Sequence, residues 1–205
     1  SVDKNGQNCI AVAPGSNSTL LPQTLQNSLT LIKEASIVMM QLEIPLATVE
    51  YVAALCKANN VSLILNPAPA CSLPVSIFPN ISIITPNEKE AEMLTGISIT
   101  DEASATRAAV MLKSKGVGIV IITMGKWGAL IVTDEYVKMI PAPVVEAVDS
   151  TGAGDVFNGA FAVAIAEGKE LPEAVKFACK AAAISVTRLG AQSSAPTRKE
   201  MELYL

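Results

Sequence analysis

Hydrophobic positions follow two alternating spacings along the chain. Apolar residues three or four positions apart predict helices, whereas short continuous apolar runs predict buried strands. The predicted helices are 21–33, 46–58, 86–94, 101–115, 155–166 and 171–187. The predicted strands are 9–13, 37–42, 61–65, 81–85, 118–124, 129–133 and 137–140. Strands that alternate with helices in this way predict an α/β fold with a mostly parallel sheet covered on both faces.

The last two predicted strands differ from the others, because only Asp134 and Glu135 and their neighbours separate them. Such a short connection predicts an antiparallel hairpin. A β-rich run is expected to continue from residue 129 to residue 148.

Polar or glycine-rich segments follow five of the predicted strands. They are Gln41-Leu42-Glu43, Asn66, residues 87–90, residues 123–128 and residues 149–155. Each one alone is explained by a turn or a helix cap. In an open α/β sheet, however, ligands bind at the carboxyl ends of the strands. The five segments together therefore predict a shared site at one edge of the sheet.

The segment Asp149-Ser150-Thr151-Gly152-Ala153-Gly154-Asp155 carries the most specific chemistry. Small residues at a predicted helix N-terminus leave backbone N–H groups without partners, and such groups attract anions. Asp155 places a carboxylate directly beside them. Phosphoryl transfer needs both parts: N–H donors for the developing charge and a base for the attacking hydroxyl. The alternative is a tight turn followed by an ordinary acidic residue in the first helical turn.

Composition narrows the possible functions of the 205-residue chain, which has the length of one domain. There are 15 Lys and Arg against 19 Asp and Glu, with no basic block, which argues against nucleic acid as a partner. Histidine is absent, so sites and triads that depend on it are excluded. No apolar run has the length of a membrane span. The four scattered cysteines, Cys9, Cys56, Cys71 and Cys179, argue against a disulfide framework and favour a cytoplasmic protein.

The glycine-rich segment, continued by Val156 and Phe157, resembles the Asp-Thr-x-Gly-Ala-Gly-Asp-x-Phe signature of the ribokinase-like (PfkB) family of carbohydrate and nucleoside kinases. Ser150 replaces the commoner Thr. The resemblance implies a three-layer α-β-α fold and ATP-dependent phosphorylation of ribose at its 5-hydroxyl. Asp155 would be the general base, the N–H groups from Gly152 through Ala153 to Gly154 the anion hole, and Glu43 a sugar contact.

The resemblance also implies a nucleotide site with magnesium. Residues 87–90 resemble the family's Asn-x-x-Glu motif, in which Asn87 lies near the nucleotide phosphates and Glu90 holds Mg²⁺ through water. The other expected nucleotide contacts are Thr123, Met124, Gly125, Lys126, Trp127, Gly128, Gly154, Asp155 and Cys179. For Lys126 the alternative is a solvated loop charge. Cys179 stands where a His often lies near the adenine.

The resemblance also implies a monovalent cation beside the anion hole, and potassium is the expected ion. The matching positions are Asp149, Thr151, Ser185, Arg188, Gly190 and Ser194. Several of them would contribute backbone carbonyls, so the residue type carries little information. For Ser185 and Arg188 the alternative is a frayed helix end.

The resemblance extends from about Gly6 to the end of the chain, whereas the family's N-terminal portion has no counterpart. That portion carries further sugar contacts, the lid and the dimer contacts. We therefore expect residues 1–205 to be an N-terminally truncated kinase domain, a fragment of a longer protein that forms a homodimer. The alternatives are a kinase for another sugar or nucleoside and a non-catalytic nucleotide-binding fragment. A dinucleotide-dependent oxidoreductase is disfavoured, because no Gly-x-Gly-x-x-Gly follows the first strand.

Overall fold

A computed structural model describes residues 13–203 of the chain. Its α-helices are α1 (Leu29–Glu34), α2 (Leu46–Ala58), α3 (Glu88–Thr95), α4 (Glu102–Ser114), α5 (Ala153–Ala166), α6 (Leu171–Ser185) and α7 (Arg198–Leu203). Its strands are β1 (Ile37–Met40), β2 (Ser62–Leu65), β3 (Ile83–Ile84), β4 (Ile119–Thr123), β5 (Ala129–Val132) and β6 (Val137–Ile140). The strand predicted at 9–13 falls outside the described residues, except for Ala13. Across residues 13–203, no helix combines the length and hydrophobicity of a membrane span.

The strands form one six-stranded sheet in the order β1-β2-β3-β4-β5-β6. The first four strands are parallel to one another, and β5 and β6 are each antiparallel to the preceding strand. Crossover connections link the parallel strands, as such pairs require. Helix α2 joins β1 to β2, a 3-10 helix (Val75–Asn80) joins β2 to β3, and α3 and α4 join β3 to β4. The predicted hairpin and the predicted parallel sheet are both confirmed.

Helices cover both faces of the sheet, and alternate strand residues face opposite layers. On β2, Leu63 and Leu65 belong to a core cluster that also contains residues of α2, α3 and α4. Ile64 belongs to a second cluster with residues of α5 and α6, including Phe161 and Val175. The predicted three-layer α-β-α architecture is therefore confirmed.

The predicted bounds differ most from the structure in two places. The helix expected at 21–33 is divided into a 3-10 helix, Pro22–Ser28, and the short helix α1. The β-rich run expected to reach residue 148 ends with β6, and residues 141–148 contain no strand. Pro141 and Pro143 explain the early end, since proline has no N–H to donate to a strand ladder. The glycine-rich segment therefore follows an irregular loop rather than a strand.

Candidate active site

The carboxyl ends of the parallel strands meet at one edge of the sheet. Hydrogen bonds continue the alignment beyond the strands: Asn66 N–H donates to Met40 O at 2.9 Å, and Thr85 N–H donates to Leu65 O at 3.0 Å. An isolated parallel bridge joins Asn87 to the last residue of β4. The structure thus confirms that the polar segments after β1, β2, β3 and β4 lie side by side.

Two of the three N–H groups predicted for the anion hole at the N-terminus of α5, those of Gly152 and Gly154, have no protein acceptor in the described part of the chain. Gly152 is its N-cap, with φ of 75°, a left-handed conformation that suits glycine. Ala153 N–H donates to Ser150 O at 3.2 Å. Within residues 13–203, the N–H groups of Gly152, Gly154 and Asp155 donate to no protein acceptor. Because these groups carry the positive end of the helix dipole, they can stabilise an anion.

Asp155 is exposed on the first turn of α5, and a hydrogen bond ties it to the strand edge. Gln41 Nε2, just after β1, donates to Asp155 Oδ1 at 2.7 Å and to Asn66 Oδ1 at 3.3 Å. Asp155 Oδ2 has no hydrogen-bond partner in the described part of the chain. The carboxylate is therefore held through one oxygen, and the other oxygen remains available to a substrate hydroxyl.

Asn87 and Glu90 form a reciprocal capping box at the start of α3. Asn87 Oδ1 accepts from Glu90 N–H at 2.9 Å, and the two Glu90 oxygens accept from the N–H and the Nδ2 of Asn87 at 2.9 and 2.8 Å. Glu90 is 7% exposed, and this burial raises its pKa, although the hydrogen bonds from Asn87 act in the opposite direction. A nearby cation would offset that desolvation. The donor set is oxygen only, which fits Mg²⁺ held through water.

Among residues 13–203, no three His, Cys, Asp or Glu side chains form a group that could hold a metal ion. Any Mg²⁺ bound at Glu90 would therefore need most of its ligands from water or from nucleotide phosphates.

Residues 123–128 form a tight turn between β4 and β5. It contains a 3-10 helix, Gly125–Trp127, and Met124 N–H donates to Gly128 O at 2.8 Å. Lys126 and Trp127 project into solvent, whereas the Met124 side chain is buried in the core. A nucleotide contact from Met124 would therefore have to use its backbone.

Four of the residues matched to the cation site lie on two loops that hydrogen bonds join, namely Asp149, Thr151, Arg188 and Gly190. Asp149 Oδ1 accepts from Thr151 N–H and Oδ2 from Gly190 N–H, both at 2.9 Å, and these bonds hold the pKa of Asp149 below its usual value. Arg188 forms an ion pair with Glu200 at 2.7 Å. The structure therefore brings the 149–151 and 185–190 segments together.

The remaining positions matched to the cation site are already used in local hydrogen bonds. Ser185 is the last residue of α6 and is buried, and its hydroxyl donates to Ala182 O at 2.9 Å. Ser194 is also buried, and its hydroxyl donates to Ala191 O at 2.7 Å. A cation could therefore be bound by the backbone carbonyl oxygens of these two residues, or by the lone pairs of their hydroxyl oxygens.

Two further predicted residues differ in their surroundings. Glu43 is exposed just beyond β1, where a sugar could reach its carboxylate. Cys179 is 5% exposed and packs in the core cluster between the sheet and α5 and α6, and burial raises its pKa to about 12. Its thiol is therefore protonated and apolar at neutral pH.

Thr85 and Asn158 contact the site but are not among the residues predicted from the sequence. Thr85 Oγ1 donates to Asn158 Oδ1 at 2.6 Å, and Asn158 Nδ2 donates to Gly154 O at 2.9 Å. The sequence feature that could have pointed to Asn158 is that it is the single amide side chain in the apolar segment Val156 to Phe161. A buried polar group in such surroundings requires a partner.

Known proteins resemble this chain over nearly its whole length. The pattern of the pfkB family of carbohydrate kinases matches residues 1–198. The chain is 45% identical to the ribokinase of Haemophilus influenzae over 204 residues, which is 100% of this chain and 67% of that protein. It is 36% identical to the deoxyribokinase of Salmonella typhi over 205 residues, again 100% of this chain and 67% of the relative.

A solved structure also has the fold of this chain. The ribokinase of Arabidopsis thaliana complexed with ribose and ATP matches 98% of this chain and 66% of its own, at 32% identity and a TM-score of 0.91. The chain thus spans about two thirds of the length of these relatives. The sequence match over nearly the whole chain, together with the shared fold, establishes that the chain belongs to the pfkB family of carbohydrate kinases.

Proposed function

We propose that the protein transfers the γ-phosphoryl group of ATP to the 5-hydroxyl of ribose. The observation that carries this proposal is the exposed Asp155 carboxylate, which lies directly beside the free N–H groups of Gly152 and Gly154. Relatives over the whole length of the chain include ribokinases, and one solved relative contains ribose and ATP. These matches support ribose as the acceptor and ATP as the donor.

In the proposed mechanism, Asp155 accepts the proton of the attacking hydroxyl through Oδ2, while Gln41 holds Oδ1. The anion hole of Gly152, Ala153 and Gly154 stabilises charge on the transferring group, chiefly through the N–H groups that lack protein acceptors. Glu43 binds the sugar and fixes its orientation. General base catalysis contributes roughly 10²- to 10⁴-fold in typical enzymes, so Asp155 is expected to affect turnover more than ATP binding.

For the nucleotide, we propose contacts from Asn87 and from the turn at residues 123–128, with Cys179 packing near the base. Glu90 would hold Mg²⁺ through water, and the metal would neutralise charge on the phosphates. Asp149, Thr151, Ser185, Arg188, Gly190 and Ser194 would surround a potassium ion. Because Asp149 already joins these two loops, such an ion would stiffen the same region that carries the anion hole.

A second candidate is deoxyribose phosphorylation, which the similarity to a deoxyribokinase supports. The two sugars differ by one hydroxyl. A site built to hydrogen-bond that hydroxyl discriminates strongly against the analogue that lacks it. Parallel assays of kcat/KM with ribose, deoxyribose and fructose would therefore identify the acceptor.

The test of the proposal uses Asp155→Asn in the natural form of the protein. ATP-dependent phosphorylation of ribose should fall by roughly 10²- to 10⁴-fold, while the Kd for ATP changes little. The control is Asp134→Asn, because Asp134 is 89% exposed in the hairpin at the opposite end of the sheet. Near-normal turnover by Asp155→Asn would refute the role of Asp155. ATP binding without phosphorylation of any sugar by the unsubstituted protein would favour a non-catalytic nucleotide-binding protein.

A further inference from the structure

A closed ring of hydrogen bonds connects the first turn of α5 to the edge of the sheet. From Gly154 O it passes through Asn158 to the Thr85 hydroxyl. From Thr85 O it continues to Asn66 Nδ2 at 3.2 Å, then through Gln41 to Asp155 Oδ1. The ring therefore begins and ends on adjacent residues, Gly154 and Asp155.

The central bond of this ring is buried in an apolar environment. Thr85 is 1% exposed and Asn158 is 4% exposed. The neighbouring helix residues Phe157 and Phe161 are both buried, and their rings stack with centroids 6.2 Å apart. A hydrogen bond inside such a low-dielectric region is directional and strong, and the loss of one partner leaves the other polar group unsatisfied.

Helix stability alone does not explain an asparagine at position 158. Asparagine is less favourable than alanine in a helix interior, and a buried amide is favourable only when its hydrogen bonds are satisfied. Both ends of the Asn158 amide are used, the oxygen toward β3 and the nitrogen toward the first turn of α5. The side chain therefore fixes the position of that turn relative to the strand edge.

We infer that Asn158 and Thr85 are positioning residues for phosphoryl transfer, which they serve by holding Gly154 and Asp155 in register with the sheet edge. This inference rests on the proposed function, because it assumes that Gly154 and Asp155 act on the substrate. Gln41 and Asn66, from the same edge, orient the Asp155 carboxylate in the other half of the ring. The carboxylate that receives the acceptor hydroxyl and the anion hole are thereby both held in a fixed position relative to the edge of the sheet.

The expected loss of kcat follows from the sensitivity of catalysis to the positions of the reacting groups. A displacement of about 1 Å in a reacting group can reduce the rate by roughly 100-fold. Thr85→Val keeps the shape of the side chain but removes the hydroxyl, so the Asn158 oxygen loses its donor. We expect kcat to fall by roughly 10- to 100-fold, with little change in the Kd for ATP. Thr85→Ser restores the hydroxyl and should recover most of the lost turnover.

The experiment measures kcat, KM for both substrates, ATP affinity and thermal midpoint for Thr85→Val, Thr85→Ser and Asn158→Ala in the natural full-length form. The stability control is Thr133→Val. Thr133 lies at the opposite end of the sheet, where its hydroxyl accepts from the N–H groups of Glu135 and Tyr136 at 3.1 and 3.0 Å. Thr133→Val should lower the thermal midpoint and leave kcat close to the original value.

The inference is supported if Thr85→Val and Asn158→Ala both lose kcat at preserved ATP affinity and Thr85→Ser recovers it. It is overturned if neither variant lowers kcat, or if Thr85→Ser is as impaired as Thr85→Val. If Thr85→Val does not fold, Asn158→Ala alone decides the question by the same kcat and ATP affinity measurements. An active Asp155→Asn variant would instead overturn the proposed function, so the two failures are distinguishable.

Discussion

Gly128 closes the turn at residues 123–128. Its replacement by alanine tests whether the backbone of this turn packs closely against the end of β6. Gly128 has φ of 106°, a conformation that residues with a Cβ rarely adopt. An added Cβ would lie 2.0 Å from Ile140 O and 2.6 Å from Ala142 N. Both neighbours are backbone atoms, so the strand end at β6 would have to move.

Gly125, in the same turn, provides a matched control. Its φ is 52°, and an added Cβ there would meet no atom within 4 Å. Gly125→Ala therefore carries only the strain of the left-handed conformation, about 1–2 kcal/mol. Gly128→Ala carries strain of about 1–3 kcal/mol and, in addition, overpacking of about 1–3 kcal/mol.

The assay is thermal unfolding of the two variants beside the unsubstituted chain. In a protein of this size, 1 kcal/mol corresponds to about 2–4 °C in Tm. We therefore expect Gly128→Ala to lower Tm by about 8–16 °C, for a loss near 4 kcal/mol, and Gly125→Ala by about 2–8 °C. Gly128→Ala should also weaken ATP binding, because Gly128 O accepts from Met124 N–H in the proposed nucleotide turn. An equal or smaller Tm loss for Gly128→Ala than for Gly125→Ala would refute the argument.

Two further predictions concern titratable groups. The pKa of Glu200 is lowered from 4.5 to about 2, chiefly by hydrogen bonds from Thr197 and also by Arg188, so its stabilising contribution is present above pH 4.5 and is lost as the pH falls toward 2. Glu200→Gln should reduce the difference in Tm between pH 6 and pH 3, as measured by calorimetry, and an unchanged difference would contradict the assignment. The Cys179 thiol, buried and with a pKa raised to about 12, should resist iodoacetamide at pH 8, whereas the partly exposed Cys71 should react. Peptide mass mapping measures which of the two cysteines is labelled first. Faster labelling of Cys179 than of Cys71 in the native protein would show that Cys179 is not buried in solution.

Apolar patterning predicted most of the fold because each strand and helix is buried on the face that its spacing indicates. The continuous apolar run of β4, with Ile121 and Ile122 in opposite core clusters, is readable as a strand covered on both faces. The division of residues 21–33 was not predictable in the same way. Leu21, Leu25 and Leu29 have the spacing of a helix. The segment between the outer two is nevertheless a 3-10 helix, Pro22–Ser28, in which only Leu25 is buried.

For the candidate site, the sequence predicted which segments meet but not how they are joined. The parallel topology places Gln41, Asn66 and Asn87 at one edge, since each follows a strand. The contact of Thr85 with Asn158 spans 73 positions and depends on where α5 lies against the sheet. Neither local spacing nor residue type specifies that placement, so the connecting bond appears only in the folded structure.

The ring of hydrogen bonds between α5 and the strand edge has a consequence for folding kinetics. Gln41 and Asp155 are 114 positions apart in the chain, so the hydrogen bond between them closes a large loop. Contacts of such separation form late, after local helices and hairpins have begun to assemble. Anion binding at α5 should therefore develop after helical circular dichroism during refolding. Ligand binding would then report the completed native state more strictly than secondary structure does.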